Sequence, residues 1–585
     1  MLKLLKKLTT FEWIMIAISV VLIILQVWLD LKMPDYMSNI TVLVQTPDSE
    51  ISEILINGGY MLLCALGSLV FSIIVGYLAA TISASLARIL RKSLFNKVEN
   101  MSMDDIKKFK TSSLITRTTN DVTQVQMFIS LGLQLLIKAP ITAIWAVSKI
   151  LNKNWEWSLL TGVAVLILLF TIGVLIIVVM PKFKKVQLLI DNMNGVMREN
   201  LTGIRVVRAF NAEKYQENKF AEVNNSLTKL QLFNQKTFGI LSPVMYLIMY
   251  CLTLGIYMVG ARLIDAANMG EKIALFGEMV VFSSYAMQVI MSFLMLAMIF
   301  MLLPRAEVSA GRINEILDVK IKIKDGKVKM GKSGVQGKVE FKNVNFKYPN
   351  AEEYVLKNIS FVANAGETVA FIGLTGSGKS TLINLVPRFY DVTEGEVLVD
   401  DVNVKDYEQE SLHNLIGYVP QKAVIFKGTI KSNVAYGEDG KGKKSEGKIK
   451  EAIKVAQAKD FVLKMPKKYD TQISQGGTNI SGGQKQRLSI ARAIARDPEI
   501  YIFDDTFSAL DFKTDAKLRK ELKEYTKNAT TLIVAQRIGT IMHADKIIVL
   551  ENGKCVGMGS HKELLENCEV YKQIALSQLS EGELQ

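Results

Sequence analysis

The chain reads as two fused domains of different class. An all-α membrane domain of six helices with long cytoplasmic extensions comes first, and an α/β nucleotide-binding domain follows. Three observations predict this. Long apolar runs fill the first half of the 585 residues, and all five tryptophans lie there. The segments between some of those runs are nearly free of Gly and Pro, so their helices should continue beyond the membrane. The second half contains strand-like alternation and a glycine-rich loop set between an apolar strand and a helical pattern.

The first residues, "MLKLLKKLTTFEW", place leucines beside lysines, as expected of a short amphipathic helix on a membrane surface. A hydrocarbon core needs about 20 apolar residues per helix, and six runs qualify: 12–31, 59–84, 128–150, 157–180, 238–262 and 273–302. The first is too long for a cleaved signal peptide, and "WLDLKMP" follows it in place of a small-residue cleavage site. Residues 85–127 and 181–237 are long and basic, whereas 32–58 carry one lysine and several acids. The excess of Lys and Arg puts the N-terminus, both long segments and the C-terminal half in the cytoplasm. Lys149 and Lys153 run slightly against this orientation. The protein is therefore expected in the cell membrane as a multi-pass protein. The turns of the two stalks, near "MDDIKKFKTSSLITR" and "MRENLTGIRVVRAF", are expected to dock on a soluble domain. The expected divisions are a membrane domain over 1–312, a linker over 313–336 and a nucleotide-binding domain over 337–585.

The net charge of +14 sits largely beside the apolar runs, and no separate basic and aromatic module accompanies it. The lipid bilayer is thus the expected partner, and nucleic acid is not. The four cysteines have no CxxC spacing, so neither a metal site nor a disulfide framework is indicated.

The chemistry lies in the second half. "TVAFIGLTGSGKSTLINLV" contains G-x-x-x-x-G-K-S from Gly373 to Ser380. The loop of Gly373, Thr375, Gly376, Ser377 and Gly378 would close backbone N–H groups around phosphate oxygens. Lys379 would reach the β- and γ-phosphates, and Ser380, followed by Thr381, would hold Mg²⁺. ATP and Mg²⁺ are therefore the expected cofactors. A second phosphate-type helix start, "ISGGQKQRLSIARAI", lies about a hundred residues further on. One nucleotide has no use for two such distant cradles in one chain.

Together with "YVPQK" and "IYIFDD", these motifs resemble the ATP-binding-cassette (ABC) family, and six spans ahead of one cassette are similar to an exporter half-transporter of the type I ABC exporter fold. The resemblance implies residue roles. Tyr348 matches the aromatic that stacks on adenine, and Gln421 the glutamine that contacts Mg²⁺ and senses the membrane domain. Asp504 matches the acid that assists Ser380 and Gln421 in holding Mg²⁺. Ser481, Gly482, Gly483 and Gln484 match the signature, with Ile480 in place of leucine, and Ser508 to Asp511 match the D-loop. Family cassettes pair head to tail, so the signature serves the nucleotide of a second half-transporter.

Two positions depart from the family. Asp505 stands where a catalytic glutamate is usual, and Gln536 where a switch histidine is usual; the three histidines are His413, His543 and His561. Aspartate withdraws the carboxylate by one methylene, and a displacement of about 1 Å can cost roughly 10²-fold in rate. Gln536 donates a hydrogen bond but exchanges no proton near neutral pH. The resemblance thus extends to heterodimeric bacterial multidrug exporters, in which one subunit binds ATP at a degenerate site and hydrolyses it poorly. An exporter of lipid or peptide, or a non-pumping ATP-binding regulatory partner, remains open. For hydrophobic or amphipathic substrates, the sixth run offers Met287, Met291, Met295 and Met298 on one helical face. Lys138 can snorkel or line a cavity, and Glu278 lies near the outer end of its span.

Overall fold

The computed structural model describes residues 1–579 except 47–48, 152–153, 269–270, 350, 438–441, 443 and 509. Lys153 and Ala509 therefore lie outside the described residues. The chain forms two compact units, one of residues 1–99 and 110–319, the other of 100–109 and 320–585.

The first unit is helical. A short helix α1 (Leu2–Leu5) precedes α2 (Thr10–Gln45), α3 (Ile51–Glu99), α5 (Thr111–Thr118), α6 (Asn120–Leu151), α7 (Trp155–Thr202), α8 (Ile204–Ala209), α9 (Glu213–Ala266) and α10 (Lys272–Leu317); the small helix α4 (Met103–Lys107) falls in the second unit. Among the described residues, six helical stretches are long and apolar enough to cross a membrane, and they contain the six runs read from the sequence, the fourth to within one residue. At 1.5 Å per residue the 54 residues of α9 extend about 80 Å, against a hydrocarbon core of about 30 Å. The surplus forms the stalks, which in α3 and α9 continue the spans without a break. Prolines 34, 140, 181, 243 and 304 each lie inside a long helix, as membrane helices tolerate when neighbours satisfy the freed carbonyls.

Helix α2 opens with a capping box, in which Thr9 and Glu12 satisfy each other's first-turn groups. Ser85 of α3 also donates to the Glu12 carboxylate, tying the start of α2 to the later part of α3. The main core of this unit gathers around α10, where Phe282, Tyr285, Ala286, Val289 and Ile290 pack with Ile23, Val27 and Trp157. Trp157 and Phe282 have ring centroids 5.3 Å apart. A Cβ at Gly260 would lie 2.4 Å from the Met279 sulfur and 3.3 Å from the Trp157 ring, so Met279 of α10 packs over a glycine of α9 and would have to shift for any larger residue.

In the second unit, strands β1 (Val339–Phe346), β2 (Leu356–Ala363), β4 (Glu394–Val399) and β5 (Val402–Asn403) form an antiparallel sheet in the order β2-β1-β4-β5. The larger sheet has β3 (Thr368–Ile372), β6 (Ile416–Val419), β7 (Ile500–Asp504), β8 (Thr530–Val534), β9 (Lys546–Glu551) and β10 (Lys554–Gly559). Its order is β10-β9-β3-β8-β7-β6, parallel except for the β9–β10 hairpin. Strand β7 is buried at every position, as its unbroken apolar run requires of a central parallel strand. Two apolar clusters flank this sheet, one led by Leu382, Val386 and Ile502, the other by Leu488, Ile494 and Phe503. The first stalk's turn belongs to this unit: Ser102 caps α4, and Lys322 reaches Asp104 at 3.4 Å. The second turn, with α8 and an exposed Phe210, belongs to the first unit. Helix α10 runs to Leu317, five residues into the segment expected to be a linker.

Candidate nucleotide site

The site begins where β3 ends. Gly373 has φ +155°, and a Cβ there would lie 2.0 Å from the Leu550 carbonyl oxygen. Gly378 has φ +96° and caps the short helix α11 (Lys379–Ile383), in a conformation that disfavours other residues. With only five residues in α11, the loop's own amides must supply most of the anion attraction.

Lys379 is buried, and its ammonium donates to the carbonyls of Gly373 and Leu374, both at 2.8 Å. It also lies 3.4 Å from the Ser377 hydroxyl. Burial pushes the Lys379 pKa down, while Asp505 and Asp504 oppose that effect. Ser380 donates to Asp504 Oδ1 at 2.8 Å. Burial raises the Asp504 pKa, and the neighbouring Asp505 charge adds to it against the Ser380 hydrogen bond and Lys379. A divalent cation beside this carboxylate would act in the opposite direction. Hydroxyl and carboxylate oxygens suit Mg²⁺, a hard cation that takes few protein ligands.

Asp505 closes the other side. It is buried, with φ +43° in the left-handed region, and its amide donates to the Val534 carbonyl at 3.0 Å. Its Oδ2 accepts from Gln536 Nε2 at 2.7 Å and from Gln421 Nε2 at 3.2 Å. Gln421, expected beside Ser380 and Asp504, is thus turned toward Asp505. The Asp505 backbone carbonyl accepts from Ser508 Oγ at 2.9 Å, at the start of the expected D-loop.

Tyr348 hydrogen-bonds with Thr381 at 2.9 Å and meets Tyr390 edge-on at 5.3 Å. The ammonium of Lys107, from α4, sits 5.0 Å from the Tyr348 ring centroid and 5.4 Å from that of Tyr390. A hydrogen bond with Tyr390 raises the Lys107 pKa against the cost of burial. This cation–π contact escaped the sequence reading, because nothing in "MDDIKKFK" says which of three lysines faces an aromatic ring.

The second cradle caps α12 (Gly482–Arg496). Gln484 N donates to Ser481 Oγ at 3.3 Å, and Ser481 N donates to Gln484 Oε1 at 2.9 Å, a capping box. Ser481 and Gly482 are exposed, with Gly483 and Gln484 half-buried behind them. Among the described residues, no hydrogen bond joins these four to the phosphate loop. In the first unit, Met291 and Met298 are each 47% exposed, and Met287 and Met295 are half-buried. Lys138 pairs with Asp30 at 3.0 Å, and Glu278 is half-buried on α10.

Comparison with known proteins places this geometry. Residues 15–293 match the ABC transporter transmembrane region, and residues 356–508 match the ABC transporter family. An ABC transporter ATP-binding protein of Mycobacterium bovis, itself uncharacterized, is 39% identical over 521 residues, covering 89% of this chain and 87% of the relative. The chain belongs to the ABC transporter family. An ATP-dependent lipid A-core flippase of Pseudomonas aeruginosa is 33% identical over 509 residues, covering 86% of this chain and 82% of the flippase. A solved structure of a bacterial Atm1-family ABC exporter with ATP bound superposes with a TM-score of 0.82 at 25% identity, covering 97% of this chain and 98% of that one. This ABC half-transporter therefore has the type I exporter fold and is a multi-pass membrane protein with a cytoplasmic nucleotide-binding domain.

Proposed function

We propose that this ABC exporter chain is the ATP-binding, weakly hydrolysing subunit of a heterodimer that exports hydrophobic or amphipathic compounds. The observation that carries the reading is the double hold on Asp505, whose Oδ2 accepts from both Gln536 and Gln421. A water-activating carboxylate needs a lone pair aimed at its water and a route for the proton. Here one oxygen is taken by two amides, neither of which relays a proton near neutral pH. The shorter aspartate also sits further back than a glutamate would. Binding groups are retained: Lys379 for the β/γ-phosphates, Ser380 and Asp504 for Mg²⁺, and Tyr348 for the adenine. Bound Mg²⁺ would supply charge neutralisation at the phosphates. The exposed cap of Ser481 and Gly482 is free of the chain's own loop and suits a partner's nucleotide. Met287, Met291, Met295 and Met298, off the core of α10, suit apolar substrates.

The test is ATPase activity of the purified heterodimer. Asp505→Asn should leave the rate within about twofold, whereas Glu→Gln at the partner's equivalent position should lower it by about 10²-fold or more. Equal losses from the two changes would make the sites equivalent and overturn the reading. A second substrate reading rests on the resemblance to the flippase. It predicts translocation of a fluorescent lipid, rather than of an amphipathic dye, in reconstituted vesicles.

A further inference from the structure

Four membrane helices meet at Asp30. Asp30 of α2 pairs with Lys138 of α6 at 3.0 Å through Oδ2 and accepts from Ser68 of α3 at 2.5 Å through Oδ1. Gln288 of α10 directs its Nε2 to the Asp30 backbone carbonyl at 3.4 Å. The other end of that amide, Gln288 Oε1, is buried and has no hydrogen-bond partner among the described residues. A buried acceptor left unmatched in such surroundings is destabilising. The ion pair itself is not sealed, since the side chains of Lys138 and Asp30 are 24% and 21% exposed. Charged side chains on membrane-spanning helices face the bundle interior or a water-filled path rather than lipid.

The polar group continues into an apolar one. Ser284, Gln288, Met291 and Met295 fall at i, i+4, i+7 and i+11 on α10, a single helical stripe. The stripe lies beside the positions that form the core, Phe282, Tyr285, Ala286, Val289 and Ile290. A ligand lying along it would have methionine sulfur and methyl groups against its apolar body and the Asp30 cluster against its head.

We propose that Asp30, Ser68, Lys138 and Gln288 form a receptor for the protonated amine of an amphipathic substrate, which takes the place of the Lys138 ammonium on Asp30 and donates to Gln288 Oε1. The proposal rests on the reading of the chain as an exporter of amphipathic compounds. Charge bookkeeping favours an amine over an anion. Exchanging one ammonium for another keeps Asp30 paired, and the long stem of Lys138 lets its head withdraw to water. A ligand carboxylate would instead draw Lys138 away and leave Asp30 partly buried and uncompensated, which is strongly unfavourable. The unmatched group is an acceptor, so it is served by a donor.

Full-length protein in lipid nanodiscs would be titrated with a fluorescent dodecylamine, its neutral N-acetyl derivative and the matching carboxylate. The amine should bind about tenfold more tightly than the neutral derivative. Asp30→Asn should erase that preference, Gln288→Leu should reduce it, and Lys138→Met should preserve or increase amine affinity. Thermal unfolding would establish that each variant is folded; Gln288→Leu and Lys138→Met keep the test open if Asp30→Asn is not. Equal binding of all three probes, preference for the carboxylate, or loss of amine binding in Lys138→Met would overturn the receptor while leaving an amphipathic substrate in place. Binding of none of the probes by the wild-type protein would overturn both.

Discussion

At the residue scale, the candidate nucleotide site centres on three buried charged groups, Lys379, Asp504 and Asp505. Burial works against the Lys379 charge while Asp505 and Asp504 favour it, and its ammonium donates hydrogen bonds to two carbonyls and a hydroxyl. Those same donors are the ones a β/γ-phosphate would take over. Lys379→Ala should therefore weaken ATP retention at this site by about 10- to 100-fold, the worth of charge-assisted hydrogen bonds. Binding of a fluorescent ATP analogue to the purified protein checks this. Asp505 shows a different residue-scale effect. Its identity was legible as a departure from the family motif, but its left-handed backbone and its two amide partners were not. Gln421 and Gln536 lie 115 positions apart, and only folding brings them to one oxygen.

At the scale of elements, the β4–β5 hairpin shows how burial and charge act on one turn. Asp400, at its tip, accepts from the Lys338 amide at 2.9 Å, and its backbone carbonyl accepts from Lys332 at 2.9 Å. It thereby holds the segment that leads into β1. Burial, reinforced by nearby Glu499, pushes its pKa up to about 6 despite these backbone hydrogen bonds. The unfolded chain should show the usual carboxylate value near 4. The folded state therefore binds the proton more tightly. Stability is fully present below about pH 4 and declines as pH rises through about 6. The full shift would correspond to about 3 kcal/mol, reduced by solvent screening to about 1–2 kcal/mol. Asp400→Asn should raise the unfolding temperature at pH 8 and leave it nearly unchanged at pH 4. Thermal melts of both proteins at the two pH values check it. The long helices behaved differently from this hairpin. Their existence and approximate spans followed from apolar length alone, whereas their ends ran beyond the apolar runs, as in α10 to Leu317.

At the scale of the whole molecule, the two phosphate-type cradles bear on the proposed heterodimer. Ser481 caps α12 with Gln484, and Ser481 and Gly482 present an exposed surface. In a head-to-tail pair that surface would complete the partner's site. Replacement of Gly482 by a bulky residue should therefore lower heterodimer ATPase by about 10²-fold, as loss of a preorganised charge-stabilising group does. Nucleotide retention at this chain's own phosphate loop should be unchanged. Site-resolved nucleotide trapping together with steady-state ATPase would separate the two. Equal loss of nucleotide at both sites would mean that the signature acts within its own chain.

The sequence by itself determined the six spans, the cytoplasmic side of the stalks, the phosphate loop and the family. The reason is that each rests on local composition or on a contiguous motif: hydropathy over about 20 residues, Lys and Arg beside it, and glycines at fixed offsets. What tertiary structure decided was every relation between distant residues. It put Gln421 and Gln536 on Asp505, set Lys107 over Tyr348, and paired Lys138 with Asp30. Asp30 was visible as a charge at the end of an apolar run, yet its partner lies 108 positions away on another helix. Periodicity states which face of a helix is polar, but the partner of that face depends on how the helices pack. That packing follows from side-chain fit over the whole core, as at Gly260 against Met279, and no single stretch of sequence contains it.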